Sequence, residues 1–153
     1  MEKLEYIPGD LVMTNGVSGG TAKDVVYRVV LSDPSRIFVL DDGTVLKGIV
    51  RLENLEDAKL EDEGYLYYGS SYVYSKDIIP IPLTPEILEK NGWKSINGKY
   101  ALKIKNANYV VLEFTEYGIY TYINENTMLF TIKYIHELQH LLYALHIDSN
   151  LKI

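Results

Sequence analysis

The sequence predicts an α+β fold, with a small N-terminal SH3-like β-barrel or sheet followed by an antiparallel sheet, one short helix and a packed C-terminal helix. Three observations predict it. Runs rich in β-branched residues and bounded by turn signals crowd the first half, as in residues 25–31 and 37–40. Near the end, Tyr134, Ile135, Leu138, Leu141, Leu142 and Leu145 recur at the spacing of one helical face. Between residues 99 and 123, apolar and polar residues alternate with the period of strands. The predicted division is a small β-barrel-like subdomain with an acidic linker over residues 1–63, and an α+β subdomain over residues 64–153 ending in an amphipathic helix.

Taken in order, Pro8-Gly9-Asp10 turns into a first strand at Leu11-Val12-Met13. The loop at residues 15–20 is glycine-rich but lacks Gly-Lys-Ser/Thr, and a strand follows it. It therefore reads as a connection, because no helix N-terminus is there to hold a phosphate. Residues 25–31 form a strand and Ser32-Asp33-Pro34-Ser35 a turn. Residues 37–40, Asp41-Asp42-Gly43 and residues 44–46 form a hairpin with Asp-Gly at its turn. Short strands at this spacing give the SH3-like expectation, which by itself assigns no role. Glu53, Glu56, Asp57, Glu61, Asp62 and Glu63 then make an acidic stretch. It lacks the alternating oxygen ligands and central glycine of a calcium loop, so it reads as a solvated linker.

Five of the fourteen tyrosines follow within ten residues, Tyr65, Tyr67, Tyr68, Tyr72 and Tyr74. They read first as an amphipathic hairpin with its rings on the core. As a binding element they would form an aromatic interface for a protein, or a stacking surface for a small molecule or base.

Residues 78–83 are extended, being punctuated by Pro80 and Pro82. Thr84 is an N-cap, with Pro85 in the first turn and Glu86 favourable to the helix dipole. Asn91-Gly92 ends this helix in a left-handed cap, and Trp93, the only tryptophan, fills the core. Strands follow at residues 99–105, 109–114, 117–123 and 127–130, and the final helix lies over a sheet of three or four strands.

Composition excludes several classes. The 153-residue chain is 47% hydrophobic, ordinary for a folded protein. It has no cysteine, which removes disulfides, thiolate metal sites and thiol nucleophiles. Its net charge of −6 argues against duplex nucleic acid as a partner. No apolar run approaches the roughly 20 residues that span a bilayer. The first residues carry neither a basic n-region nor an apolar h-region, so neither a membrane nor a secretory signal is expected. The expected location is the cytoplasm.

The sharpest motif is His136-Glu137-Leu138-Gln139-His140, which spells the zinc-protease string H-E-x-x-H. On a helix, His136 and His140 lie on one face and could hold zinc, with Glu137 as general base for a metal-bound water. His146 stands where metzincins carry their third histidine. The glycine that would swing it back is replaced by Tyr143, within a stretch that favours continued helix. Continued to His146, that helix would turn its ring roughly 80° from His136 and 120° from His140. No methionine turn and no remote acidic ligand follows. The expectation is therefore no catalytic residue, no metal and no cofactor, with His136 and His140 on a solvent-leaning face. The alternative is a minimal zinc hydrolase using His136, His140 and Glu137.

Two boxes carry a resemblance. Ile79-Pro80-Ile81-Pro82-Leu83-Thr84-Pro85-Glu86-Ile87-Leu88 with Asn91-Gly92-Trp93, and residues 133–142, resemble a family of uncharacterised small proteins. These belong to Bacteroides-type bacteria, their phages and mobile elements. The resemblance covers roughly residues 77–146. It implies no established activity, and implies that the H-E-x-x-H string is one spelling of a structural helix, since the family often has Gln and Asn where this chain has Glu137 and His140. The leading expectation is a non-enzymatic cytoplasmic binding protein of such a genome or phage. It would interfere with host defence by holding an unknown protein or a small-molecule ligand such as a nucleotide signal. A phage structural or assembly protein is a third reading, favoured if the chain forms a homo-oligomer.

Overall fold

A computed structural model describes residues 5–17, 20–55 and 70–153. The chain forms two compact units, Met1–Ile81 and Pro82–Ile153. The α+β class holds: two antiparallel sheets and two α-helices account for the regular structure of the described residues.

Unit 1 contains β1 (Leu11–Thr14), β2 (Tyr27–Val39), β3 (Val45–Asn54), β4 (Ser70–Tyr74) and β5 (Ile78–Ile79). They lie in the order β4-β3-β2-β1-β5, all antiparallel, and the sheet is not closed into a barrel. A one-turn 3₁₀ helix, Ser75–Asp77, connects β4 to β5. The division expected after residue 63 falls outside the described residues. β4, expected in the second subdomain, pairs with β3 of unit 1, and the units part between Ile81 and Pro82. The core is Tyr6, Val12, Tyr27, Val29, Val50, Leu52, Val73 and Ile78. Tyr27 is fully buried and its hydroxyl accepts the Ala22 N–H at 3.0 Å, fixing the segment that leads into β2. Burial pushes its phenol above the usual tyrosine range.

The turn expected at residues 32–35 is instead an irregularity inside one long strand. Between the pairs Asp33↔Ile49 and Ile37↔Lys47, β2 carries two more residues than β3. Pro34 has no N–H to give to a ladder, so a bulge is where a strand can hold it. The Asp33 carboxylate accepts from the Ser35 N–H at 3.1 Å and the Ser35 hydroxyl at 2.6 Å. Those bonds, the hydroxyl first, hold its carboxyl below the usual range. The local turn chemistry is real, but the strand on each side recovers its pairing with β3, so the chain bends without reversing.

Unit 2 is a meander of β6 (Lys94–Ile96), β7 (Lys99–Lys103), β8 (Tyr109–Thr115), β9 (Gly118–Ile123) and β10 (Thr127–Ile132). It has five strands, one or two more than expected, because Lys94–Ile96 pairs back on β7 through the Asn97-Gly98 turn. Helix α1 (Pro85–Lys90) starts as expected, with the Thr84 hydroxyl accepting the Ile87 N–H. Helix α2 spans Ile135–Ala144. Both helices end in the same left-handed stop. Trp93 N bonds Leu88 O and Gly92 N bonds Glu89 O; likewise Ile147 N bonds Leu142 O and His146 N bonds Tyr143 O. Gly92 takes the positive φ in the first, His146 in the second. The helix expected to continue to His146 therefore stops before it. The segment after α2 is strapped down by side-chain amides. Asn91 bonds both the N–H and the C=O of Lys152, and Gln139 donates to Ser149 O.

Candidate functional site: an aromatic groove on unit 1

The groove follows from the length mismatch of the strands. β4 pairs only with Ile49–Glu53 of β3, so residues 45–48 and their β2 partners run on as a two-stranded ribbon. Among the described residues no third strand pairs with this ribbon, and Ile37, Val39, Leu40 and Val45 are exposed, Val39 by 68%. Where β4 rejoins, Leu31, Arg36, Phe38, Ile49, Tyr72 and Tyr74 line a groove of about 460 Å³. Phe38 meets Tyr74 edge to face, with ring centroids 6.1 Å apart. The Arg36 guanidinium lies 5.8 Å from the Phe38 ring centre, and that of Arg51 lies 5.9 Å from Tyr72. Tyr72 is 61% exposed. Aromatic rings flanked by arginine, half wet and half packed, are the composition of protein-binding hot spots. Asp33 at the groove margin supplies one negative charge against Arg36.

Of the five predicted tyrosines, the structure brings Tyr72 and Tyr74 to this groove; Tyr65, Tyr67 and Tyr68 lie outside the described residues. Sequence alone misses Leu31, Arg36, Phe38 and Ile49. Ile37-Phe38-Val39-Leu40 is an unbroken apolar run, which reads as a buried strand. Its exposure follows from the short pairing of β4 with Ile49–Glu53, which no local pattern in the sequence signals.

The H-E-x-x-H helix is arranged differently from its expectation. His136 is buried, 4% exposed, not solvent-leaning. The Tyr134 ring stacks on it at 5.8 Å and 13° between planes, and the His140 ring meets it edge-on at 5.6 Å. Glu137 Oε1 accepts the Lys133 N–H at 3.3 Å, reaching back over the start of α2 as an acid in a first turn does. His146 is exposed beyond the helix stop. Among the described residues, no three His, Cys, Asp or Glu side chains are grouped to hold a metal. The two histidines would offer an ion two nitrogens, and zinc catalysis needs a third protein ligand. Glu137→Ala is expected to cost about 0.5–1 kcal/mol in thermal unfolding, through the lost cap. Elemental analysis is expected to give the same substoichiometric zinc for this variant and the parent. Near one zinc per chain would establish the metal reading instead.

The geometry defines a class: a two-unit α+β protein with an aromatic–arginine groove on one sheet. No protein-family model matches the chain, and neither the curated proteins nor the solved structures contain a significant match. Among the described residues, no helix is long and apolar enough to cross a membrane.

Proposed function

We propose that this chain is a non-enzymatic binding protein of a Bacteroides-type genome or phage, acting in the cytoplasm, and that unit 1 is its SH3-like binding module. The strand order β4-β3-β2-β1-β5, with a 3₁₀ turn before the short last strand, supports the SH3-like reading. The observation that carries the binding role is the groove of Phe38, Tyr72 and Tyr74 flanked by Arg36. A protein ligand suits it better than a nucleotide. The lining is mainly apolar and aromatic, and it continues onto the exposed ribbon, a longer contact than a small molecule fills. Interference with a host defence protein is the role consistent with the resemblance of residues 77–146.

The test is capture with immobilised parent chain and with Phe38→Ala/Tyr72→Ala, both residues being partly exposed and so replaceable without unfolding. Each truncation at a hot spot costs about 2 kcal/mol or more. The pair is expected to weaken binding of a specific protein by at least roughly 100-fold. A partner held equally by both forms would sink the groove as the site.

A further inference from the structure

The two helices of unit 2 share one kind of stop but turn on different residues. At α1 the turning residue is Gly92, φ 84°, which meets no Cβ penalty there. At α2 it is His146, φ 58°, for which the same conformation is costly. The stop itself is made of backbone bonds, so it gives the imidazole no role. A second left-handed bend lies across from this one. Asn106 and Ala107, φ 61° and 59°, fold the β7–β8 connection back, and the Ile104 N–H closes it by donating to Asn108 O at 2.8 Å. Between the bends runs an open groove of about 710 Å³. Half-buried Ile104, Leu145 and Ile147 form its apolar floor, and exposed Lys103, Lys105, Asn106 and His146 its rim. No acid lines it. Asp148, next along the chain, lines a different cavity, where its carboxylate accepts the Asn150 N–H at 3.0 Å. Neither Lys103 nor Lys105 belongs to an ion pair among the described residues. On a chain of net charge −6, the groove is a local reversal of sign.

We propose that this groove binds a soluble organic phosphomonoester, with the phosphate held by Lys103, Lys105 and His146 and the organic part lying on Ile104, Leu145 and Ile147. Charge selects the phosphate. Two ammoniums match its charge of about −2, and its three terminal oxygens accept from donors arriving on different sides. A carboxylate offers a single charge in one plane and suits a planar guanidinium better. The Asn106 amide adds an uncharged donor at the rim. The apolar floor selects an ester over the free ion, because a bare phosphate would leave Ile104, Leu145 and Ile147 uncovered. The charge of the whole chain selects a soluble ligand, since an anionic membrane presenting the same group as a lipid head repels a net −6. The histidine then has a reason: glycine would turn the chain as well but would bring no imidazole to the rim. The site lies wholly in unit 2 and shares no residue with the groove of unit 1.

Phenyl phosphate is the probe, titrated into the full chain and followed through backbone amide shifts. Saturable shifts are expected at residues 103–108 and 145–147, with an affinity that falls as salt is added. Inorganic phosphate should bind several-fold more weakly, for want of contact with the floor. Lys103→Gln/Lys105→Gln, both at exposed positions, should weaken phenyl phosphate by roughly tenfold or more. His146→Gly separates binding from folding: it should weaken the probe while leaving the urea midpoint at or above that of the parent. Shifts that do not saturate overturn the proposal, as do shifts unaltered in the double lysine variant. Equal affinity for inorganic phosphate would mean an adventitious ion only and overturns it too. Capture of the chain by phosphatidylcholine vesicles containing phosphatidic acid would overturn the soluble ligand. None of these results bears on capture through Phe38 and Tyr72, so the two proposals fail separately.

Discussion

Leu138→Ala is expected to lower the stability of unit 2 by about 2–5 kcal/mol. Leu138 is fully buried on α2, as are Ile135 and Leu142, while Val110, Leu112, Ile119 and Ile132 supply the buried face of the sheet. A ten-residue helix is too short to persist alone in water, so α2 exists because this stripe is buried. Removing one leucine from its centre takes away transfer free energy and leaves a cavity whose walls are themselves tied down. The segment after α2 is strapped by Asn91 and Gln139 and cannot collapse freely into the gap. Trp93 is the chain's only tryptophan, lies in unit 2 and is 4% exposed, so its fluorescence in urea reports on this unit. The midpoint should fall with an unchanged slope. Tyr143→Ala, about one and a half turns along but 70% exposed, should stay within about 0.5 kcal/mol of the parent. Equal losses in the two variants would contradict the packing described for α2.

The same helix marks what the sequence discloses and what it withholds. Its apolar stripe was legible because 3.6-residue periodicity is a local signal, and the buried positions Ile135, Leu138, Leu141 and Leu142 match it. Thr84 and Gly92 were legible for the same reason: a cap is chemistry between near neighbours. His136 was not. It lies about 100° beyond Ile135, which is itself the edge of the stripe, and so nearly opposite the stripe's centre. Its burial is decided by the Tyr134 ring folding over it, a contact that no hydrophobicity pattern encodes. His146 was misjudged because the stretch before it favours helix, whereas the stop is made by backbone groups of residues 142–147 with a histidine where glycine is usual.

The groove was half legible. A tyrosine cluster announced itself by composition, and Tyr72 and Tyr74 do reach the site. The other wall depends on strand register. Phe38 stands opposite Leu46 only because β2 absorbs its extra residues between Asp33 and Ile37, and Ile49 stands opposite Tyr74 through the pairing of β3 with β4. Local turn propensity at Ser32-Asp33-Pro34-Ser35 is the same for a chain reversal and for a bulge. The long-range ladder on both sides decides between them, and a single sequence does not display that ladder.

Gly48→Ala should therefore be costly well beyond its size, about 2–5 kcal/mol from backbone strain and overpacking together. Gly48 lies across from the β2 irregularity with φ +79°, a conformation that L side chains rarely adopt. An added Cβ would overlap the Ser75 side chain, at the start of the 3₁₀ turn that leads into β5, and approach the Pro34 Cα. One absent methyl thus lets β3, the β2 bulge and the 3₁₀ turn come together. The two costs are separable. Ser75→Gly in the same chain removes the overlap and should recover part of the loss, leaving the strain of the positive φ, about 1–3 kcal/mol. Amide exchange along β2 and β3 is the appropriate readout, because unit 1 has no tryptophan. Exchange should quicken around residues 33–49 in Gly48→Ala. With it should go affinity at the groove, since the register that brings Phe38 beside Tyr74 runs through this point. Parent-like exchange in Gly48→Ala would mean that the bulge and the 3₁₀ turn are not held together here, and that the groove takes its shape from β4 alone.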